Sequence, residues 1–191
     1  MEKIPTMFVR DPANMSRVTQ EVTPGCEWVL AGEGLPTQKV DGTNIRVTVA
    51  SGRPVMVEKR RNPTREEKAA GAEPGYVISD ASDPADKHIT AAVNHTDFSG
   101  WPEGASPCEA VGPKIQGGAG GTEPGLYPFS FDPAYLPRIE RTFDAIRAYL
   151  EATPIEGIVW HHPDGRMAKI KRRDFGIKWL GSADIKPGEQ A

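Results

Sequence analysis

Lys39 stands in the run Gln38-Lys39-Val40-Asp41-Gly42-Thr43-Asn44-Ile45-Arg46, with an acid two residues on and a glycine next. A lysine near its ordinary pKa of about 10.4 is protonated at neutral pH and is a poor nucleophile. Desolvation or neighbouring cations lower that pKa, whereas nearby carboxylates hold the charge and orient the amine. Gly42 lets the backbone approach a ligand closely or take a positive φ. The same nine residues also read as a surface Lys39–Asp41 pair ahead of a strand. Further along, Ser106-Pro107-Cys108-Glu109-Ala110-Val111 and Glu156-Gly157-Ile158-Val159-Trp160 each set one glutamate in a small or apolar run. A carboxylate entering a buried strand is costly without a cation or a ligand hydroxyl as partner. Lys169-Ile170-Lys171 alternates, so both ammonium groups point to one face of a strand. Two like charges there repel unless an anion lies with them. Arg166 to Lys178 holds six basic residues against Asp174, a local charge of +5 in a chain of net −3. That stretch also reads as a solvated strand edge.

These residues must be carried on strands and tight turns. The patterning predicts strands over about 27–31, 37–49, 54–60, 107–112, 155–161 and 166–172. NIRVTV (44–49) alternates as a half-buried strand does, and Ser51-Gly52 marks a hairpin to the run that follows. Pro163-Asp164-Gly165 marks a second hairpin joining the Glu156 and Lys169 segments. Ile139, Phe143, Ile146 and Leu150 share one helical face, predicting a helix over 137–151. Thr64 and Glu67 have capping-box spacing before a short helix, and another helix is expected from about 84 to 95. Residues 112–137 read as a Gly- and Pro-rich connection. The fold class expected is α+β.

Length and composition bound the rest. At 191 residues, with 38% hydrophobic content, the chain suits one domain with a real core. No run approaches the ~20 apolar residues that span a bilayer, and the N-terminus lacks a secretory apolar stretch. Cys26 and Cys108 form no disulfide framework, so a cytoplasmic setting is expected. His161 and His162 are expected as exposed turn residues. His88 and His95 lack a third metal ligand, and the four tryptophans are expected in the core.

In order, Lys39-Val40-Asp41-Gly42, Glu109, Glu156-Gly157-Ile158-Val159 and Lys169-Ile170-Lys171 resemble the covalent nucleotidyltransferase superfamily, which includes polynucleotide ligases and mRNA capping enzymes. The Gly42-Thr43-Asn44 continuation is similar to RNA ligases of the phage nick-sealing and kinetoplastid editing type. The resemblance implies a nucleotidyltransferase core of two antiparallel sheets with flanking helices and a nucleotide cleft between them, as a single domain without a C-terminal OB domain. It implies an ATP-dependent RNA ligase with Mg²⁺ or Mn²⁺, acting on RNA 5′-phosphate and 3′-hydroxyl ends and not on a membrane. Lys39 would become lysyl-AMP and Asp41 would position it. Lys169 and Lys171 would hold the α-phosphate, Asn44 and Glu109 the ribose hydroxyls, and Glu156 the metal. Arg46 and Lys59 complete the expected nucleotide contacts, with Arg60 beside Lys59, and Phe129 or Phe131 stands as adenine-stacking candidate. Two departures are Cys108 before Glu109, where relatives carry a glycine or aromatic, and Thr37 where some ligases carry an acid. Alternatives are a DNA ligase, a guanylyltransferase, or a non-catalytic module that binds nucleotide or RNA ends.

Overall fold

The computed structural model of the chain describes residues 4–131 and 133–179. These fall into two units, residues 4–40 with 133–179 and residues 41–131. The strands are, in order, β1 (Phe8–Asp11), β2 (Asn14–Val22), β3 (Leu35–Lys39), β4 (Thr43–Ala50), β5 (Arg53–Arg61), β6 (Gly75–Ile78), β7 (Gly104–Val111), β8 (Gly125–Pro128), β9 (Gly157–His161) and β10 (Met167–Lys171). The α-helices are α1 (Glu27–Leu30), α2 (Arg65–Ala69), α3 (Lys87–Asn94) and α4 (Phe143–Ala152). The class is α+β, with mostly antiparallel sheets and few, short helices. No helix among the described residues is long and apolar enough to cross a membrane.

In the first unit β9 runs between β10 and β3, antiparallel to both. Alternation sends Ile158, Trp160, Ala168 and Ile170 into a core shared with Phe8, Val29, Ile146, Leu150 and Phe175. Phe8, Phe143 and Phe175 meet edge-on, with ring centroids 5.0–6.4 Å apart. The β9–β10 hairpin forms as expected around Pro163-Asp164-Gly165, with Gly165 at φ +93°. Each sheet edge gains one bridge, Thr6 beside Lys169 and Tyr135 beside Thr37. β1 and β2 form a separate hairpin. Little in the sequence marks β2, because only Val18 along it is buried.

Two expectations for this unit change. Residues 27–31 hold a single helical turn, not a strand: Trp28 and Val29 are buried on one side of α1, and a short apolar run does not distinguish the two conformations. The helix expected from 137 begins at Phe143, where the Thr142 hydroxyl accepts from the Ala145 amide at 3.2 Å. Ile139 is buried in the same core from an extended approach segment, so its periodic spacing recorded burial and not helix.

In the second unit five antiparallel strands lie in the order β6-β5-β4-β7-β8. The β4–β5 turn puts Ser51 at φ +53° and Gly52 at φ +67°, the pair of positive φ values that suits a two-residue hairpin. Ile45, Val47 and Val49 face α3, whose Ile89, Ala92 and Val93 complete a second core with Cys108 and Ala110. The strand expected over 37–49 is two strands, broken at 40–42. There a Cβ on Gly42 would stand 2.2 Å from the Ala110 carbonyl oxygen, so only glycine fits. The Thr64–Glu67 capping box forms in full, with bonds of 3.2 and 2.7 Å. The connection over 112–137 contains β8, which closes one sheet edge beside β7.

Leu150 is fully buried and the Thr64 cap is exposed. Leu150→Ala is expected to cost about 2–5 kcal/mol, and Thr64→Ala about 1 kcal/mol. Urea denaturation measures both, and equal losses would contradict the placement of Leu150.

Candidate functional site

Register in the first unit sets the site. Lys171, Gly157 and Lys39 stand opposite one another across β10, β9 and β3. Lys169, Val159 and Thr37 form the next row. Directly opposed residues share a face, so all three lysines project from the side away from the core. Glu156, one residue before β9, turns its carboxylate into this group. Its Oε2 accepts from Lys39 Nζ at 2.5 Å, and its Oε1 accepts from Lys171 Nζ. The three side chains are 7–19% exposed, so the ions are largely removed from water. Such charges persist only when paired and hydrogen-bonded.

The backbone fixes this clamp. The Arg172 amide donates to the Glu156 carbonyl at 2.9 Å. The Lys171 amide donates to Asp174 Oδ2 at 2.8 Å, and Asp174 Oδ1 pairs with Arg10 at 2.8 Å. A Cβ on Gly157 would lie 2.2 Å from the Ile170 carbonyl oxygen. Glycine there lets β9 and β10 close at the level where the two lysines meet. Two ammonium groups against one carboxylate leave the clamp net positive, which suits phosphate oxygens.

His161 continues this face, opposite Leu35 and Met167. It is half-buried on a strand, not an exposed turn residue, because the turn begins one residue later. Burial lowers its pKa below the ordinary 6.5, so the ring is neutral at pH 7. The Thr37 hydroxyl donates to the Val159 carbonyl at 3.2 Å and therefore accepts from His161 Nε2 at 3.0 Å. His162 does enter the turn, where it pairs with Glu33 and Asp164 at 2.8 and 2.7 Å.

The second unit brings other expected residues together. Asn44 lies opposite Glu109, Glu109 opposite Tyr127, and Arg60 opposite Tyr76. Lys59 pairs with Ile45, so Arg60 falls beside Asn44. These five side chains make a polar row across the sheet. Tyr76 donates to Asn44 Oδ1 at 2.8 Å, and the Arg46 guanidinium sits 4.6 Å from the Tyr76 ring centroid. Arg46 also forks onto Glu58 at 2.6 and 2.7 Å. Asp41 is half-buried in the short loop ahead of β4.

Lys59 is placed differently from its expected group. Alternation along β5 turns it to the α3 face, away from Asn44, Arg46 and Glu109, where it pairs with the buried Asp86 at 2.6 Å. Arg60 takes the face that the sequence reading gave to Lys59. Desolvation pushes the Asp86 carboxyl up, but hydrogen bonds from Lys59, the Asp80 amide and Ser79 outweigh it and hold the pKa below 3.8. The bond from Arg46 likewise holds Glu58 below its ordinary 4.5. Burial, with Glu109 adding to it, pushes the Cys108 thiol up to about 12, leaving no thiolate for chemistry at pH 7. Phe131 packs edge-on against Trp101 at 4.9 Å. Tyr76, Glu58 and Asp86 escaped the sequence reading. Strict alternation along RPVMVEKRR would have separated Arg60 from Lys59, but nothing local marks Asp86 as a partner 27 residues away.

Among the described residues no group of three or more His, Cys, Asp or Glu side chains could hold a metal ion. Both Glu156 oxygens are taken by ammonium groups, and a divalent cation there would face two positive charges. The clamp as it stands does not fit a resident Mg²⁺. A magnesium ion that arrives on a nucleotide is part of the substrate. No protein-family model matches the chain, and no curated protein matches it.

Glu156→Ala leaves two half-buried ammonium groups facing each other. It is expected to cost about 3 kcal/mol, more than Lys39→Ala, by urea unfolding at pH 7; the reverse order would refute the shared clamp. Glu58 and Asp86 have folded pKa values below their unfolded ones. Their stabilisation is complete above the unfolded values, near 4.5 and 3.8, and is lost as pH falls through the folded ones. Glu58→Gln and Asp86→Asn are therefore expected to flatten the acid limb of stability against pH, and an unchanged limb would contradict both pairings.

Proposed function

We propose that the chain is an ATP-dependent RNA ligase that joins a 5′-phosphate to a 3′-hydroxyl through a lysyl-AMP intermediate. The observation that carries this reading is Lys39 hydrogen-bonded to Glu156, which also binds Lys171, with Lys169 on the same face. A nucleophilic lysine must lose a proton, and Glu156 Oε2 is the base within reach at 2.5 Å. The Nζ lone pair attacks the α-phosphorus of ATP. An N–P bond forms, the bond from α-phosphorus to the bridging oxygen breaks, and pyrophosphate leaves with that electron pair. Lys169 and Lys171 offset charge on the α-phosphate oxygens, and phosphoryl-type transfer depends mainly on such neutralisation and on alignment.

A 5′-phosphate oxygen of RNA then attacks the same phosphorus. Lys39 departs as the amine and regains a proton, and the RNA end carries AMP through a pyrophosphate link. A 3′-hydroxyl attacks that end and releases AMP. Asn44 and Glu109, with Tyr76 and Tyr127 in their row, offer amide, carboxylate and aromatic groups of the kinds that recognise ribose hydroxyls and bases. The choice of RNA rests on the similarity of Gly42-Thr43-Asn44 to RNA ligases. The role of Asp41 in positioning Lys39 rests on the resemblance of Lys39-Val40-Asp41-Gly42 alone.

Incubation with ATP labelled at the α-phosphate, together with Mg²⁺, is expected to label the protein through an acid-labile, alkali-stable bond. Lys39→Ala should abolish the label without changing the circular dichroism spectrum, and retained label would refute the nucleophile. Side-by-side sealing of 5′-phosphorylated RNA and DNA tests the acceptor. Equal rates would overturn the RNA preference.

A further inference from the structure

A second cationic feature of the first unit lies outside the lysine face. β1, β2 and the short 3₁₀ turn after β10 (Arg172–Phe175) enclose an open cavity of about 540 Å³, lined by Arg10, Met15, Ser16, Arg173, Gly176 and Ile177. Arg17 lies against its wall. A Cβ on Gly176, which has φ +76°, would come within 2.9 Å of the Arg17 guanidinium carbon, so glycine lets that planar group rest on the backbone. Arg10 is held in place by Asp174, which is 1% exposed, at 2.8 Å. Among the described residues neither Arg17 nor Arg173 has a carboxylate partner. Three guanidinium groups therefore gather around this cavity, and its one buried carboxylate pairs with Arg10.

We infer that Arg10, Arg17 and Arg173 form a docking site for the phosphodiester backbone of a nucleic-acid strand. Like charges gathered at one concavity repel one another, and an anion relieves the repulsion. Guanidinium forks match phosphate oxygens in pairs. The lining is not purely ionic: Met15 is 67% exposed at the rim, an apolar surface that a base covers and inorganic phosphate leaves open. Arginine planes accept stacked bases as well as phosphates. Asp174 gives the site a physical tie to the clamp, since one oxygen holds Arg10 while the other accepts from the Lys171 amide. That the polyanion is the ligase's RNA strand rests on the function proposed above, whereas the anion site rests on the geometry of this unit alone.

The test is fluorescence anisotropy with a short labelled RNA strand, titrated across a range of salt, on the full chain. Arg17→Gln with Arg173→Gln should weaken binding about tenfold and reduce the slope of log K against log salt by about 1.4, which is about 0.7 per arginine on a single strand. Met15→Glu, at an exposed position near the start of β2, should weaken binding in the same direction by adding a negative charge. Unchanged affinity and slope in both variants, with melting temperatures unaltered, would overturn the proposal. So would arginine-dependent binding of inorganic phosphate by calorimetry with no effect on RNA. ATP self-labelling of the unmodified chain is measured in parallel. Absent labelling with arginine-dependent RNA binding defeats the ligase reading and leaves this site standing, and labelling with arginine-independent RNA binding does the converse.

Discussion

One carboxylate shared by two ammonium groups organises the first unit. Taking three charges largely out of water is expensive, and the cost is offset only where each oxygen meets a donor at hydrogen-bond distance. That requirement constrains the backbone on both sides. β3 and β10 must present Lys39 and Lys171 at the same level of β9, and Glu156 must enter just ahead of that level. The register of three strands and the close approach at Gly157 follow from it. The same carboxylate binds Lys39 and Lys171, so it fixes where both amines stand.

The second unit shows a sheet divided by function of face. Toward α3 the side chains are apolar, with the Lys59–Asp86 pair at one margin. The opposite face carries Asn44, Arg46, Glu58, Arg60, Glu109 and two tyrosines. Burial makes the Cys108 thiol inert, although Glu109 is its neighbour in sequence. Period-two alternation alone separates an inert core thiol from a polar carboxylate one residue away.

Charge is unevenly distributed along this acidic chain. A net −3 coexists with a lysine face and an arginine-lined cavity in the same unit. Asp174 lies where the two meet in the chain, binding Arg10 with one oxygen and the Lys171 backbone with the other. A local field of one sign attracts polyanions that the whole-chain charge would repel.

Local rules read much of this molecule directly. Both hairpins, the Thr64 capping box, the strands carrying Glu109 and the paired lysines, and the strand that Glu156 precedes follow from turn residues, caps and alternation, which act within a few residues. Alternation also sufficed to put Lys169 and Lys171 on one face. Other features needed the folded chain. The one-turn helix at Trp28 and the extended segment at Ile139 arise because burial in a common core accepts either backbone conformation. The pairing of Lys59 with Asp86, the placement of Tyr76 on Asn44, and the closure of Glu156 onto Lys39 from 117 positions away depend on contacts between distant segments. A linear sequence states which groups exist; strand register and face, fixed only when the sheets assemble, decide which of them meet.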